Sequence, residues 1–252
     1  MTSEKYWDDR ATKRLTEVEK QSNDYIKRVK QIYTRANRDI KKQIANINQN
    51  NKEFVLFPSN IYLSFFYDTN YKIGSQNVSK YENENHTGEI LASQLKSLNV
   101  SYVLINHCET DEETKSVIAK IKNATKEKLK VVLCIGREIQ ESEDCVSKLR
   151  GQITEIFNQL TNSEISNIIL AYEPCWGINK EDIMDINELN NIVKNLKVFV
   201  NYEYNVNIEI IYGGSINVDN FEKLLKIDIL DGYLIGNSAK VPENVVKIAC
   251  KF

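Results

Sequence analysis

The sequence predicts an α/β fold: most of an eight-stranded β/α barrel, preceded by a long basic helix. Two observations carry this. From residue 53 onward, short apolar runs alternate with amphipathic stretches, at the spacing of parallel strands joined by crossover helices. Before that point the pattern is helical throughout, and neither glycine nor proline occurs in the first 50 residues.

The opening segment, 1–50, carries apolar residues at Trp7, Ala11, Leu15, Val18, Tyr25, Ile26, Val29, Ile32, Tyr33, Ala36, Ile40, Ile44 and Ile47. Steps of three and four place them on one stripe of a helix. Forty-odd residues at ~1.5 Å each make a rod of roughly 60 Å, which must project, fold back or pair with another chain. The segment is also basic, with 12 Lys/Arg against 7 Asp/Glu, leaving 21 against 28 for the remainder.

The second segment, 53–252, holds seven strand-like runs: Phe54–Phe57, Tyr71–Ser75, Tyr102–Ile105, Val131–Ile135, Ile168–Tyr172, Ile208–Tyr212 and Tyr233–Ile235. Amphipathic stretches at Glu113–Ala124, Val146–Leu160, Ile186–Val200 and Asn217–Leu225 lie between several of them. A closed eight-stranded barrel needs one more strand, and its natural place is ahead of Phe54.

Composition narrows the function. A net charge of -2 gives no reason to expect nucleic acid or a membrane surface as partner. No apolar run approaches the roughly 20 residues that cross a bilayer. The charged start without an apolar core argues against a signal peptide. Five cysteines (Cys108, Cys134, Cys145, Cys175, Cys250) are an odd count without C-x-x-C spacing, so reduced thiols in a cytoplasm are expected.

In β/α barrels, function sits on the loops that leave the C-terminal strand ends. Here those ends deliver Asn106-His107-Cys108-Glu109, Glu173-Pro174-Cys175-Trp176, Gly213-Gly214-Ser215 and Gly236-Asn237-Ser238. A carboxylate beside an imidazole can move a proton on a small substrate. Backbone N–H groups of a Gly-Gly-Ser turn leading into a helix can cradle an anion such as phosphate.

These strings together resemble the triosephosphate isomerase family. Ala171-Tyr172-Glu173-Pro174-Cys175-Trp176 is similar to its A-Y-E-P-x-W, Tyr212-Gly213-Gly214-Ser215 to its Y-G-G-S, and Asn106–Glu109 to its G-H-S-E. Asp231–Gly236 resembles its last strand, Val132–Gly136 also fits, and Gln76-Asn77-Val78 with Thr87-Gly88-Glu89 resembles its intersubunit loop. The fold implied is a (β/α)8 TIM-type barrel, incomplete or altered at its first βα unit, with a long N-terminal helix. The reaction implied interconverts dihydroxyacetone phosphate and glyceraldehyde 3-phosphate without metal or organic cofactor. Glu173 would be the base and neutral His107 the electrophile, roles for which this enzyme family is a standard worked case. Gly177 in the lid, with Gly214, Ser215, Gly236 and Asn237, would bind the phosphate. Thr87 would brace the active site of a second subunit in a homo-oligomer. Separately, Ser3–Arg10 and the charged run after it resemble the N-termini of phage minor head proteins, which suggests a fusion.

The sequence departs from the family pattern in several places. The family's first strand ends in N-x-K, whose lysine neutralises growing negative charge, with a whole helix before the second strand. Asn50-Asn51-Lys52 matches that string formally, but Phe54 follows Lys52 too closely for an intervening helix. The lid is shorter, Asn237 replaces a glycine, and Thr110 and Asp111 stand where the family has two arginines. The acidic run from Glu109 to Glu113 is expected to favour charged His107. Activity is therefore expected to be weak or absent, and the other reading is a non-catalytic binding or assembly protein.

Overall fold

The computed structural model describes residues 16–31, 53–67, 72–137, 139, 144–174 and 183–251. Seven parallel strands follow one another in chain order across a curled sheet: β1 (Val55–Leu56), β2 (Lys72–Ser75), β3 (Tyr102–Ile105), β4 (Lys130–Ile135), β5 (Ile168–Tyr172), β6 (Glu209–Tyr212) and β7 (Gly232–Tyr233). This is the TIM-type arrangement, incomplete among the described residues. The outer edges of β1 and β7 have no strand beside them there.

Alternation along each strand separates two apolar layers. Val103 and Ile105 of β3, Val131, Leu133 and Ile135 of β4, and Ile168, Leu170 and Tyr172 of β5 belong to the large outer core under the helices. Leu104, Val132, Cys134, Ile169 and Ala171 form a smaller inner cluster, bordered by Phe57, Tyr102, Ile211 and Leu234. The inner layer is fully buried only along β3 to β5, where both neighbours of each strand are long. At the flank, Phe57 lies hard against Gly74 of β2, where a Cβ would fall 2.2 Å from its ring.

The crossover helices are α2 (Ala92–Ser97), α3 (Thr114–Lys126), α4 (Cys145–Phe157), the single turn α5 (Asn162–Ile165), α6 (Ile186–Tyr204), α7 (Phe221–Leu224) and α8 (Pro242–Ala249). In α6, Leu189, Ile192, Val193, Leu196 and Val200 are buried, the three-four spacing of one helical face. Its start is fixed by Asp185, whose carboxylate accepts the N–H groups of Asn187 and Glu188. Its end is set by Asn205 in the left-handed region at φ 53°.

Ahead of the sheet, α1 spans 16–31. Its stripe is used from Tyr25 onward: Ile26 is buried in the outer core, Tyr25 stacks on Tyr62 at 4.5 Å, and Val29 packs alongside. Tyr62 belongs to a 3-10 helix, Asn60–Phe66, whose Leu63 and Phe66 are also buried. Val18, earlier on the same predicted stripe, is 60% exposed. The rest of the predicted rod, Lys52 and the Ser3–Arg10 resemblance lie outside the described residues.

Two sequence expectations are corrected. The apolar stretch Asn217–Leu225 is helical only over Phe221–Leu224, because asparagine side chains tie up its start. Asn217 accepts the N–H groups of Asp219 and Asn220, and Asn220 accepts that of Asn217, which favours a turn over a helix. The last strand is Gly232–Tyr233, not Tyr233–Ile235, since only Gly232 and Tyr233 register with β6.

Candidate active site

Strand order brings the ends of β3 and β5 together across β4. Glu173 directly follows β5 and continues its ladder, its N–H donating to the Ile135 carbonyl at 2.9 Å. Its carboxylate is almost fully enclosed, with 4% of the side chain exposed. One oxygen lies 3.2 Å from His107 Nε2, and the other accepts the Cys108 N–H at 3.1 Å. The buried anion is thus satisfied on both oxygens, as a buried carboxylate must be.

His107 is held on its other side. The Glu109 N–H donates to Nδ1 at 3.3 Å, which leaves the ring proton on Nε2, facing Glu173. The Glu173 hydrogen bond raises the His107 pKa, burial opposes it, and the charges of Glu173 and then Glu109 add to the rise. The expected shift toward charged histidine is therefore present, but its main source is Glu173. The acidic run contributes through Glu109, 3.8 Å from Nδ1.

Backbone geometry makes room for this pair. Gly136, at φ 107°, passes so close to Glu173 that a Cβ would lie 2.8 Å from its carbonyl oxygen. Its N–H donates to Gln152 of α4 at 3.0 Å, which pins the turn from behind. A Cβ on Gly213 would meet the Glu173 Cγ at 3.2 Å. Asn106 occupies the left-handed region at φ 62° and donates its amide to the Cys134 carbonyl at 3.0 Å. An asparagine tolerates that conformation better than most residues.

The Gly213 turn stands beside Glu173, and the turn after Gly236 is tied to it. Gly213 donates to the Tyr172 carbonyl at 2.9 Å, and Ser238 Oγ donates to the Ile216 carbonyl at 2.6 Å. Gly214 lies over the Tyr212 hydroxyl, and Ser215 adopts φ 38°. Gly236 precedes a 3-10 turn, Asn237–Lys240. The Asn237 side chain accepts a bond from Lys240 Nζ at 2.8 Å. Because α7 begins only at Phe221, its dipole does not reinforce the Gly-Gly-Ser turn as the sequence suggested. Gly177 lies outside the described residues.

Three supporting groups were not legible beforehand. Arg137 donates to the Thr110 carbonyl and sits 2.6 Å from Asp111, bringing a guanidinium from the β4 loop to the place where the family pattern has arginines. Its position after Gly136 was the only available signal. The Tyr212 hydroxyl accepts the Met184 N–H at 3.4 Å, joining the return of the lid to the Gly-Gly-Ser turn. Lys120 of α3 reaches Glu112 at 2.5 Å and Asn77 at 2.8 Å, anchoring the loop that carries Thr87. Thr87 itself is exposed, next to Gly88 at φ 90°.

A curled parallel β/α sheet with a carboxylate–imidazole pair and two glycine-containing turns at its C-terminal end defines a protein of the β/α-barrel class. The comparisons specify the family. The triosephosphate isomerase family model matches residues 25–252. The chain is 31% identical over 190 residues to the triosephosphate isomerase of Alkaliphilus oremlandii, covering 71% of this chain and 77% of that protein. It is 31% identical to that of Mesomycoplasma hyorhinis, covering 80% and 83%, and 31% identical to that of Orientia tsutsugamushi, covering 81% and 86%. The chain belongs to the triosephosphate isomerase family. Among the described residues, no helix is long and apolar enough to cross a membrane.

Proposed function

We propose that the protein interconverts dihydroxyacetone phosphate and glyceraldehyde 3-phosphate, weakly. The observation that carries this reading is the buried Glu173 carboxylate set 3.2 Å from His107 Nε2 at the mouth of the sheet. Glu173 takes a proton from the hydroxyl-bearing carbon beside the carbonyl while His107 Nε2–H gives its proton to the carbonyl oxygen; His107 then takes the proton of the other hydroxyl, and Glu173 returns its proton to the former carbonyl carbon. Gly214, Ser215, Gly236, Asn237 and Gly177 hold the phosphate, through backbone N–H groups and the serine hydroxyl. Thr87 extends to a second copy of the chain in a cytoplasmic homodimer.

The weakness follows from charge. The enediolate needs a cation, and Arg137, the guanidinium brought to this end of the sheet, is engaged with Asp111. Loss of even one oxyanion donor costs about 100- to 1000-fold in such sites. A coupled isomerase assay on protein made in a host lacking its own isomerase tests the proposal. Slow turnover that vanishes in Glu173→Ala supports it, and no turnover in either protein refutes it.

The outer edges of β1 and β7, unpaired among the described residues, favour one second reading, a non-catalytic assembly protein of fused, phage-related origin whose edges are covered by a partner. Thermal stabilisation by 2-phosphoglycolate separates the two. A catalytic site is stabilised by this anion, and an assembly module is not.

A further inference from the structure

Sequence spacing gives no sign of a metal site, since no two cysteines stand in C-x-x-C order. Strand order supplies what spacing does not. His107, Cys108 and Glu173 each offer one ligand atom, and the three atoms lie within 4.8 Å of one another. We propose that these three residues bind a soft divalent cation of the Zn2+ or Cd2+ class at the mouth of the barrel.

The geometry is close to what such an ion requires. Zinc takes nitrogen and oxygen ligands at about 2.0 Å and thiolate at about 2.3 Å, so tetrahedral neighbours stand roughly 3.3–3.8 Å apart. His107 Nε2 and the Glu173 oxygen are already 3.2 Å apart. The Cys108 sulfur lies 3.9 Å from Nδ1, on the other side of the ring, and reaches an ion on Nε2 by turning about its Cα–Cβ bond. Three side-chain ligands leave a fourth position open to water, the pattern of exchangeable zinc sites. A thiolate and an imidazole select zinc-like ions over magnesium or calcium.

The surroundings favour a cation. The Glu173 carboxylate is 4% exposed and has already lost its water, so a positive ion offsets the cost of its burial. The Cys108 N–H holds one carboxylate oxygen, and on the other the ion replaces the proton of His107 Nε2. With the ion on Nε2, the ring proton moves to Nδ1 in place of the bond from the Glu109 N–H, and the Glu109 carboxylate, 3.8 Å away, supplies a nearby negative charge. The thiol loses its proton on binding, so from a neutral His107 one proton leaves for each ion bound.

Cys108 stands where the family motif has serine, so the feature belongs to this chain's departure from its family. The ion occupies the atoms that would move the substrate proton, so binding and isomerisation exclude each other. Metal binding nevertheless needs no isomerase activity, and it is measured without substrate.

The test is a Co2+ titration of the reduced full-length protein, read by the thiolate-to-cobalt charge-transfer band in the near ultraviolet. The expected result is a band that saturates at one equivalent, with release of one proton, and that Zn2+ abolishes. Cys108→Ser removes the band, Cys250→Ser keeps it, and Glu173→Gln weakens affinity at least about 10-fold, the minimum that even an outer-shell partner commands. Circular dichroism confirms that each variant is folded. No band at millimolar cobalt in the unsubstituted protein overturns the proposal. So does a band that survives Cys108→Ser, or an affinity that Glu173→Gln leaves unchanged.

Discussion

β4 and β5 run side by side from Val131 and Ile168 to Ile135 and Tyr172, whereas β1 meets β2 only at Val55 and Leu56. The same contrast holds at the other flank, where β7 meets β6 only at Gly232 and Tyr233. The centre carries the inner core layer and delivers His107 and Glu173. The flanks carry short, half-buried strands whose outer edges stand open among the described residues. Catalytic geometry therefore depends on the part of the sheet where hydrogen bonding and burial reinforce each other. His107 and Glu173 are set by the ends of β3 and β5 on either side of β4, away from both flanks.

The largest effect expected from breaking this comparison is at the centre. Glu173→Gln keeps the shape of the side chain and removes the base. Isomerase turnover should fall by about 100- to 10,000-fold, the range a positioned general base supplies. The coupled assay measures it, and turnover within a factor of two of the unsubstituted protein would show that Glu173 is not the base.

Stability should show the same gradient. Leu133, wholly buried in β4, should cost about 2–5 kcal/mol when truncated to alanine. Val55 in β1 is only half-buried, and Val55→Ala should cost about 1 kcal/mol or less. Urea denaturation compares the two. Equal losses would mean that the β1 flank is packed as tightly as the centre.

Two glycines sharpen the point. Gly136→Ala places a Cβ 2.8 Å from the Glu173 carbonyl at φ 107°, and about 1–3 kcal/mol of strain is expected. Gly151, inside α4 with no atom within 4 Å of a new Cβ, should gain roughly 0.5–1 kcal/mol as alanine. If both substitutions shift the melting temperature in the same direction, the close approach of Gly136 to Glu173 is wrong.

The gradient also explains what could be read from the sequence. β3 and β5 were legible to the residue because Tyr102–Ile105 and Ile168–Tyr172 are continuous apolar runs buried on both faces. Glu173 and His107 were legible because they stand at the ends of those runs. The flanks blurred where apolar content stops deciding: Leu234 and Ile235 read as strand, yet the register with β6 ends at Tyr233 and the last bond is the Leu234 N–H to the Tyr212 carbonyl. The short α7 was hidden by Asn217 and Asn220, whose side chains compete with the helix for backbone groups. Arg137 and the His107–Cys108–Glu173 cluster depend on which loops meet in space, and no local spacing encodes that.

The smallest expected effect is a titration at the centre. Only two histidines occur in the chain, so His107 is readily assigned by comparing the protein with His86→Gln. The Glu173 hydrogen bond raises its pKa above the ordinary histidine value of about 6.5. A raised folded-state pKa means that protonated His107 stabilises the fold. That contribution is fully present below about pH 6.5 and is lost as pH climbs through the raised value. Glu173→Gln removes the largest cause, so the His107 proton resonance should titrate at lower pH in that variant, and the loss of stability across the same interval should shrink. Isomerisation needs the neutral ring, so activity should rise over the interval in which this stabilisation fades. An unchanged midpoint in Glu173→Gln would place the two side chains too far apart to share a proton, and the centre of the sheet would lose its claim to the chemistry.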